Sequence, residues 1–156
     1  MSDSDLFIAH VPGIQYGVLD SLMGYAIRRA QIRTYENFIA ALEPWGITPP
    51  RFSAMVIVSL NPGLKLTQLA KIMGIARSGA VILVDALEEL GYMQRLPAPE
   101  DRRAFSLALT DKGKADLVQI TQAVQTQDQQ VTQALSASEQ TELHRLLLKL
   151  CDIPAA

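Results

Sequence analysis

The chain has 156 residues, 49% of them hydrophobic and 19% charged, with a formal net charge of −2. That length buries a sizeable core within one domain, and that composition excludes a disordered or collagen-like chain. A near-neutral balance gives no overall basic field, so contact with nucleic acid must rest on Lys and Arg placed locally.

The single cysteine, Cys151, excludes an intrachain disulfide and fits a reducing compartment. No apolar run approaches the roughly 20 residues of a spanning helix. The acidic opening MSDSD is unlike the basic start of an export signal. The expectation is a cytoplasmic protein with no membrane partner.

Residues 5–16 (DLFIAHVPGIQY) form an apolar arm broken by Pro12 and Gly13, expected to pack on the core or on a partner subunit. From Gly17 to Leu42, Leu19, Leu22, Met23, Ala26, Ile27 and Ala30 recur at helical spacing. Pro44, Gly46 and Pro49-Pro50 end that helix. A helix of about 25 residues carries more apolar surface than a short neighbour covers, which points to a dimer.

Thr48 is the expected N-cap of a helix over 50–60, with prolines in its first turn and Phe52, Met55, Val56 and Leu60 buried. Asn61-Pro62-Gly63 makes a turn. A short helix from Lys65 to Met73 buries Leu66, Leu69 and Met73, and Gly74 suits the left-handed position that closes it. A second helix, Ala76 to Leu90, puts Ala80, Leu83, Val84, Leu87 and Leu90 on one face, and Gly91 stops it.

Two strands, Tyr92–Leu96 and Ala104–Leu109, flank a loop that Pro97 and Pro99 keep irregular. Thr110 caps a long helix running to about Leu135. Ser136-x-x-Glu139 is a capping box opening a last helix with Leu143, Leu146, Leu147 and Leu150 on its buried side. A helix pair followed by a β-hairpin is the arrangement of a winged helix that binds duplex DNA.

The run Asp101-Arg102-Arg103 followed by Leu109-Thr110-Asp111-Lys112-Gly113 resembles the D-R-R…L-T-x-x-G signature of MarR-type transcription regulators. The order of helices is similar to that family from about residue 17 to 151. The resemblance implies a homodimer joined through N- and C-terminal helices, two winged helices on a pseudo-palindrome, and often a small ligand that alters DNA affinity. Family recognition helices usually carry Ser or Thr near their start and Arg in the middle; this chain departs from that with Ala76, Gly79, Val81, Ile82 and Ala86.

Candidate DNA contacts follow. Lys65, Thr67 and Gln68 open the first helix of the pair, where backbone N–H groups receive phosphate oxygens or polar side chains simply cap the helix. Arg77 and Ser78 start the second helix, Arg77 being able to fork onto guanine. Val81 and Ile82 either touch thymine methyls or belong to the core or an interface. Arg102 and Arg103, beside Glu100 and Asp101, either enter the minor groove or pair with Asp to stiffen the hairpin. By resemblance, one arginine reaches DNA while Asp101 orients the wing.

Arg28, Arg29 and Arg33 on the first long helix lie near Tyr25 and Tyr35. A cation beside Tyr16, Met23 and Met55 would hold an aromatic carboxylate, giving Tyr16, Tyr25, Arg28, Arg29 and Met55 as candidate ligand residues. The alternative is a solvated face paired to Glu36 or a partner subunit. His10 and His144 lack further ligands at metal spacing, and Cys151 lacks a resolving partner. With no phosphate-cradling glycine loop, nucleophile elbow or His-Glu metal motif, no enzyme, cofactor or metal is expected.

The expected fold is mainly α with a small β-hairpin wing: a winged helix-turn-helix with long N- and C-terminal dimerisation helices. Residues 1–156 make a single domain, 17–44 and 111–151 supplying dimerisation helices and 49–109 the DNA-binding region. The expected function is a ligand-responsive repressor binding double-stranded operator DNA as a homodimer, released by an aromatic acid or phenol, with a thioester or an unrelated hydrophobic effector as second choice. The competing expectation is a winged-helix protein-interaction module without sequence-specific DNA binding.

Overall fold

Local chemistry sets most of the boundaries. The structure, a computed structural model, describes residues 7–98 and 101–153, and for 98 and 101–104 the backbone alone. Helix α1 (Met23–Leu42) is followed by a 3-10 turn, Glu43–Trp45, and by α2 (Pro49–Leu60). Pro49 and Pro50 occupy the first turn of α2, where a missing N–H costs nothing, and Thr48 sits at the N-cap without a side-chain bond. The pair α3 (Leu66–Ile72) and α4 (Arg77–Glu89) comes next. Gly74 (φ 64°) and Gly91 (φ 75°) take the left-handed conformation that ends each helix sharply.

Strands β1 (Met93–Ala98) and β2 (Asp101–Leu109) pair antiparallel, Met93 opposite Leu109 and Arg95 opposite Leu107. The hairpin is longer than the sequence suggested, because Pro97 lies within β1 opposite Phe105 and the register shifts only between Pro97 and Ala98. A two-stranded ribbon has an open edge on each strand, which tolerates a residue without an N–H. The segment before α3 adds to this sheet: the Leu107 N–H donates to Leu64 O at 2.8 Å, and Lys65 bridges to Ser106.

The chain ends in α5 (Asp111–Thr132) and α6 (Ala137–Leu150). Ser136 and Glu139 form the expected capping box: the Glu139 N–H donates to Ser136 Oγ (3.4 Å) and the Ser136 N–H to Glu139 Oε2 (2.8 Å). The Ser136 N–H, and after it the Ser136 hydroxyl donating to the same oxygen, hold the Glu139 carboxyl below its usual range. No helix among the described residues is long and apolar enough to cross a membrane.

Two compact units make up the chain, one of Phe38–Val124 and one of Met1–Asn37 with Gln125–Ala156. The first holds the core: Leu42, Met55, Leu69, Val84, Leu87, Met93, Leu107 and Ile120 are all fully buried. At about 25 cal/mol per Å² of apolar surface, such side chains contribute about 1.5–3 kcal/mol each. They come from every element of the unit, so the helix pair and the hairpin share one core.

Four expectations need correction. The helical pattern from Gly17 begins as a 3-10 turn (Gly17–Ser21), and extended Leu22 separates it from α1. In α2 the buried residues are Pro49, Ala54, Met55 and Val58, and Phe52 packs half-buried on the core, while Leu60 is 73% exposed at the helix end because the core there meets the stripe adjacent to the expected one. Helix α5 stops at Thr132, whose carbonyl accepts from the Leu135 N–H (2.9 Å), and Gln140 Nε2 donates to the carbonyls of Thr132 and Leu135. Leu143, Leu146, Leu147 and Leu150 share one side of α6 by their spacing, yet all are exposed in the single chain.

Candidate functional site

Helix α4 has two faces. Ala80, Leu83, Val84 and Leu87 are buried, whereas Arg77, Ser78, Val81, Ile82, Asp85 and Glu89 form an exposed stripe. Val81 is 36% and Ile82 69% exposed, so neither belongs to the core. The outward face therefore opens with a cation and a hydroxyl, continues with two branched apolar side chains, and ends in acids.

Beside this stripe lies a cleft of about 360 Å³ lined by α3, α4 and the hairpin. It brings together Lys65, Thr67, Arg77 and Val81, four of the residues expected to contact DNA, and adds Arg95 and Phe105. Gln68 serves the α3 start, its Oε1 accepting from the Lys65 N–H at 2.9 Å. Ser78 and Ile82 are exposed on the same helix face, outside the cleft lining.

Arg95 ties the hairpin to α4. One guanidinium nitrogen donates to Asp85 Oδ1 at 2.7 Å, another pairs with Glu88 Oε2, and the Arg95 N–H donates to Glu88 Oε1 at 3.1 Å. A fork bound to two carboxylates one helical turn apart fixes both rotation and height of α4 against β1. It also gives Asp85, the acid nearest the middle of the exposed stripe, a cation that it shares with Glu88.

A second clamp holds the far end of α4. Thr110 N–H donates to Tyr92 O (3.1 Å), Thr110 Oγ1 donates to Gly91 O (2.5 Å), and the Gly113 N–H donates to Thr110 Oγ1 (3.0 Å). Lys112 Nζ donates to Leu90 O at 2.7 Å and lies 4.4 Å from the centroid of the Tyr92 ring. The Tyr92 hydroxyl donates to Trp45 O at 3.3 Å. Burial, followed by the Asp116 carboxylate, raises the Tyr92 pKa and keeps that hydroxyl protonated.

In the other unit, Arg29 lies between two tyrosines, its guanidinium carbon 4.8 Å from the Tyr16 ring centroid and 5.1 Å from that of Tyr25. The rings are 6.5 Å apart, and the His10 ring lies tilted against Tyr16, 5.0 Å between centroids. Tyr16 is further fixed by the Val11 N–H, which donates to its hydroxyl oxygen at 3.1 Å. Three of the five candidate ligand residues thus form one cluster. Arg28 is exposed and donates to Gln31 Oε1, and Met55 is fully buried in the core of the first unit.

The chain is 35% identical over 136 residues, 86% of its length and 82% of the relative's, to a putative transcriptional regulatory protein for the hcr operon of Thauera aromatica. Among solved structures it is similar to the transcriptional repressor CouR bound to a 23-mer DNA duplex: TM-score 0.84, 36% identity, 88% of this chain and 98% of that one. The same repressor bound to p-coumaroyl-CoA gives a TM-score of 0.81 and 34% identity, over 88% and 97% of the two chains. The MarR family profile matches residues 47–105. The chain belongs to the MarR family.

MarR membership makes it a transcription regulator and not an enzyme. In this MarR chain the L-T-x-x-G part of the signature is the clamp on Gly91 and Tyr92 described above. The side chains of Arg102 and Arg103, in its D-R-R part, lie outside the described residues. Sequence reasoning missed Arg95 and the exposed ring of Phe105. The signal that could have found Arg95 was Asp85 and Glu88 at three-residue spacing on α4, with an arginine seven residues beyond. Among the described residues no group of three His, Cys, Asp or Glu is placed to hold a metal ion.

Proposed function

We propose that this MarR-family regulator is a homodimeric repressor that grips operator DNA with α4 and the hairpin and lets go when an aromatic effector binds. The observation carrying this reading is the exposed face of α4 beside a cleft that gathers Lys65, Thr67, Arg77 and Arg95. Lys65 and Arg77 beside an unobstructed helix are what a major groove and its flanking phosphates require, with Arg95 holding the helix in place. The similar repressor CouR has a structure with a 23-mer duplex, which supports the same use of the fold here.

Dimerisation accounts for α6. Leu143, Leu146, Leu147 and Leu150 are exposed at helical spacing in one chain, and a second copy would cover them. A dimer of this kind reads two half-sites whose centres lie one turn of the duplex apart, about 34–36 Å.

The effector site centres on Arg29, Tyr16 and Tyr25. A guanidinium stacked on two rings presents its edge to an anionic or carbonyl oxygen, while the tyrosines offer apolar faces to an aromatic ring. An aromatic acid or phenol fits, and so does an aryl thioester, the class to which CouR's p-coumaroyl-CoA belongs. Such an effector releases DNA only as far as it binds the released state more tightly.

Fluorescence anisotropy with a labelled duplex from upstream of the protein's own gene tests both parts. Wild-type protein binds, and p-coumarate or p-coumaroyl-CoA lowers the affinity. Arg29→Ala binds the duplex equally well and no longer responds. Absence of DNA binding by folded protein sinks the repressor reading; an unchanged response in Arg29→Ala removes the effector site.

A further inference from the structure

We propose that Val81 and Ile82 determine operator specificity by reading thymine methyl groups, so that the half-site carries A·T pairs beneath the middle of α4. The inference rests on the DNA-binding reading above and adds the base class that the helix recognises.

The exposed stripe carries few groups able to hydrogen-bond a base edge. Arg77 and Ser78 occupy the first turn, and Asp85, one turn past Val81 and Ile82, has its carboxylate held by Arg95. What remains at the centre is apolar. The C5-methyl of thymine is the apolar feature of the major groove, and contact with it distinguishes A·T from G·C without a hydrogen bond.

The neighbourhood suits close approach. Gly79 and Ala86, one turn to either side of Ile82, carry little or no side chain, which eases approach of this part of α4 to the groove floor. Ile82 is 69% exposed, leaving most of its surface for a partner to cover. Branching at Cβ also restricts χ1 of both residues, so little rotamer freedom is lost when they are covered. Lys65 and Arg77 on the adjoining cleft supply the phosphate attraction that would bring this stripe against DNA.

The test uses full-length protein and a randomised duplex pool. The best-bound duplexes are resynthesised with uracil in place of thymine, which preserves pairing and removes only the methyl. Thymine at fixed half-site positions is expected. Uracil at those positions lowers affinity about fourfold for each methyl lost, and about fifteenfold when one methyl is removed from each half-site. In the Val81→Ala, Ile82→Ala double variant, the thymine and uracil duplexes bind alike.

Equal binding of the two duplexes by wild-type protein overturns the inference, as does a uracil effect that survives in the double variant. Binding to the pool at low salt with no enriched sequence overturns it too, while leaving DNA binding intact. No binding to any duplex overturns the repressor reading and this inference together. Such a result would mark the apolar stripe as a surface for another protein.

Discussion

A side chain at position 113 would overlap the carbonyl oxygen of Tyr92, and even the Tyr92 α-carbon would lie only 3.1 Å from the added Cβ. Gly113 opens α5, and Tyr92 follows the end of α4, so the absence of one methyl lets these two backbones touch. That close approach, with the Thr110 and Lys112 bonds around it, fixes where α4 ends.

Gly113→Ala is therefore expected to destabilise the winged-helix unit at the upper end of the roughly 1–3 kcal/mol seen for overpacking, because the obstruction is backbone and cannot swing aside. Urea denaturation measures the loss, and DNA affinity should fall with it as α4 shifts. Wild-type stability in the variant would mean that α5 is free to move away.

Arg95→Ala removes the fork that holds Asp85 and Glu88. The groups are partly exposed, so the stability cost is about 1 kcal/mol or less. The larger effect is expected on DNA binding, about tenfold, or ~1.4 kcal/mol, because Asp85 becomes an unpaired anion beside the groove. Adding Asp85→Asn to Arg95→Ala should recover part of that loss in an anisotropy titration at fixed salt. No recovery would show Arg95 touching phosphate itself.

Much of this was legible in the sequence because it is local. The Pro49-Pro50 helix start, the stops at Gly74 and Gly91 and the Ser136–Glu139 box depend on residues within a turn of one another, and each formed as expected. The buried face of α4 followed from its spacing. What escaped was decided at longer range. Arg95 meets Asp85 and Glu88 through the pairing of helix and hairpin, which no periodicity encodes. Val58 replaced Leu60 because the core selected between adjacent stripes of α2. The α6 leucines read as buried, and the single chain leaves them without a cover.

Arg103→Ala tests the hairpin tip. The expectation comes from the Asp101-Arg102-Arg103 run: an arginine there adds a minor-groove or phosphate contact. Operator affinity should drop while the dimer, measured by sedimentation, stays intact. Unchanged affinity would remove the tip from the DNA contact.

The central claim is that cations near α4 and the hairpin hold duplex DNA despite a net charge of −2. Its most direct test is the salt dependence of binding to a selected duplex and to a shuffled control. If Lys65, Arg77 and the hairpin arginines of two protomers neutralise about four to eight phosphates, log K against log salt is linear with a slope of roughly −3.6 to −7. The selected duplex should remain the tighter binder throughout. A slope near zero, or no binding at low salt by folded protein, would contradict the account.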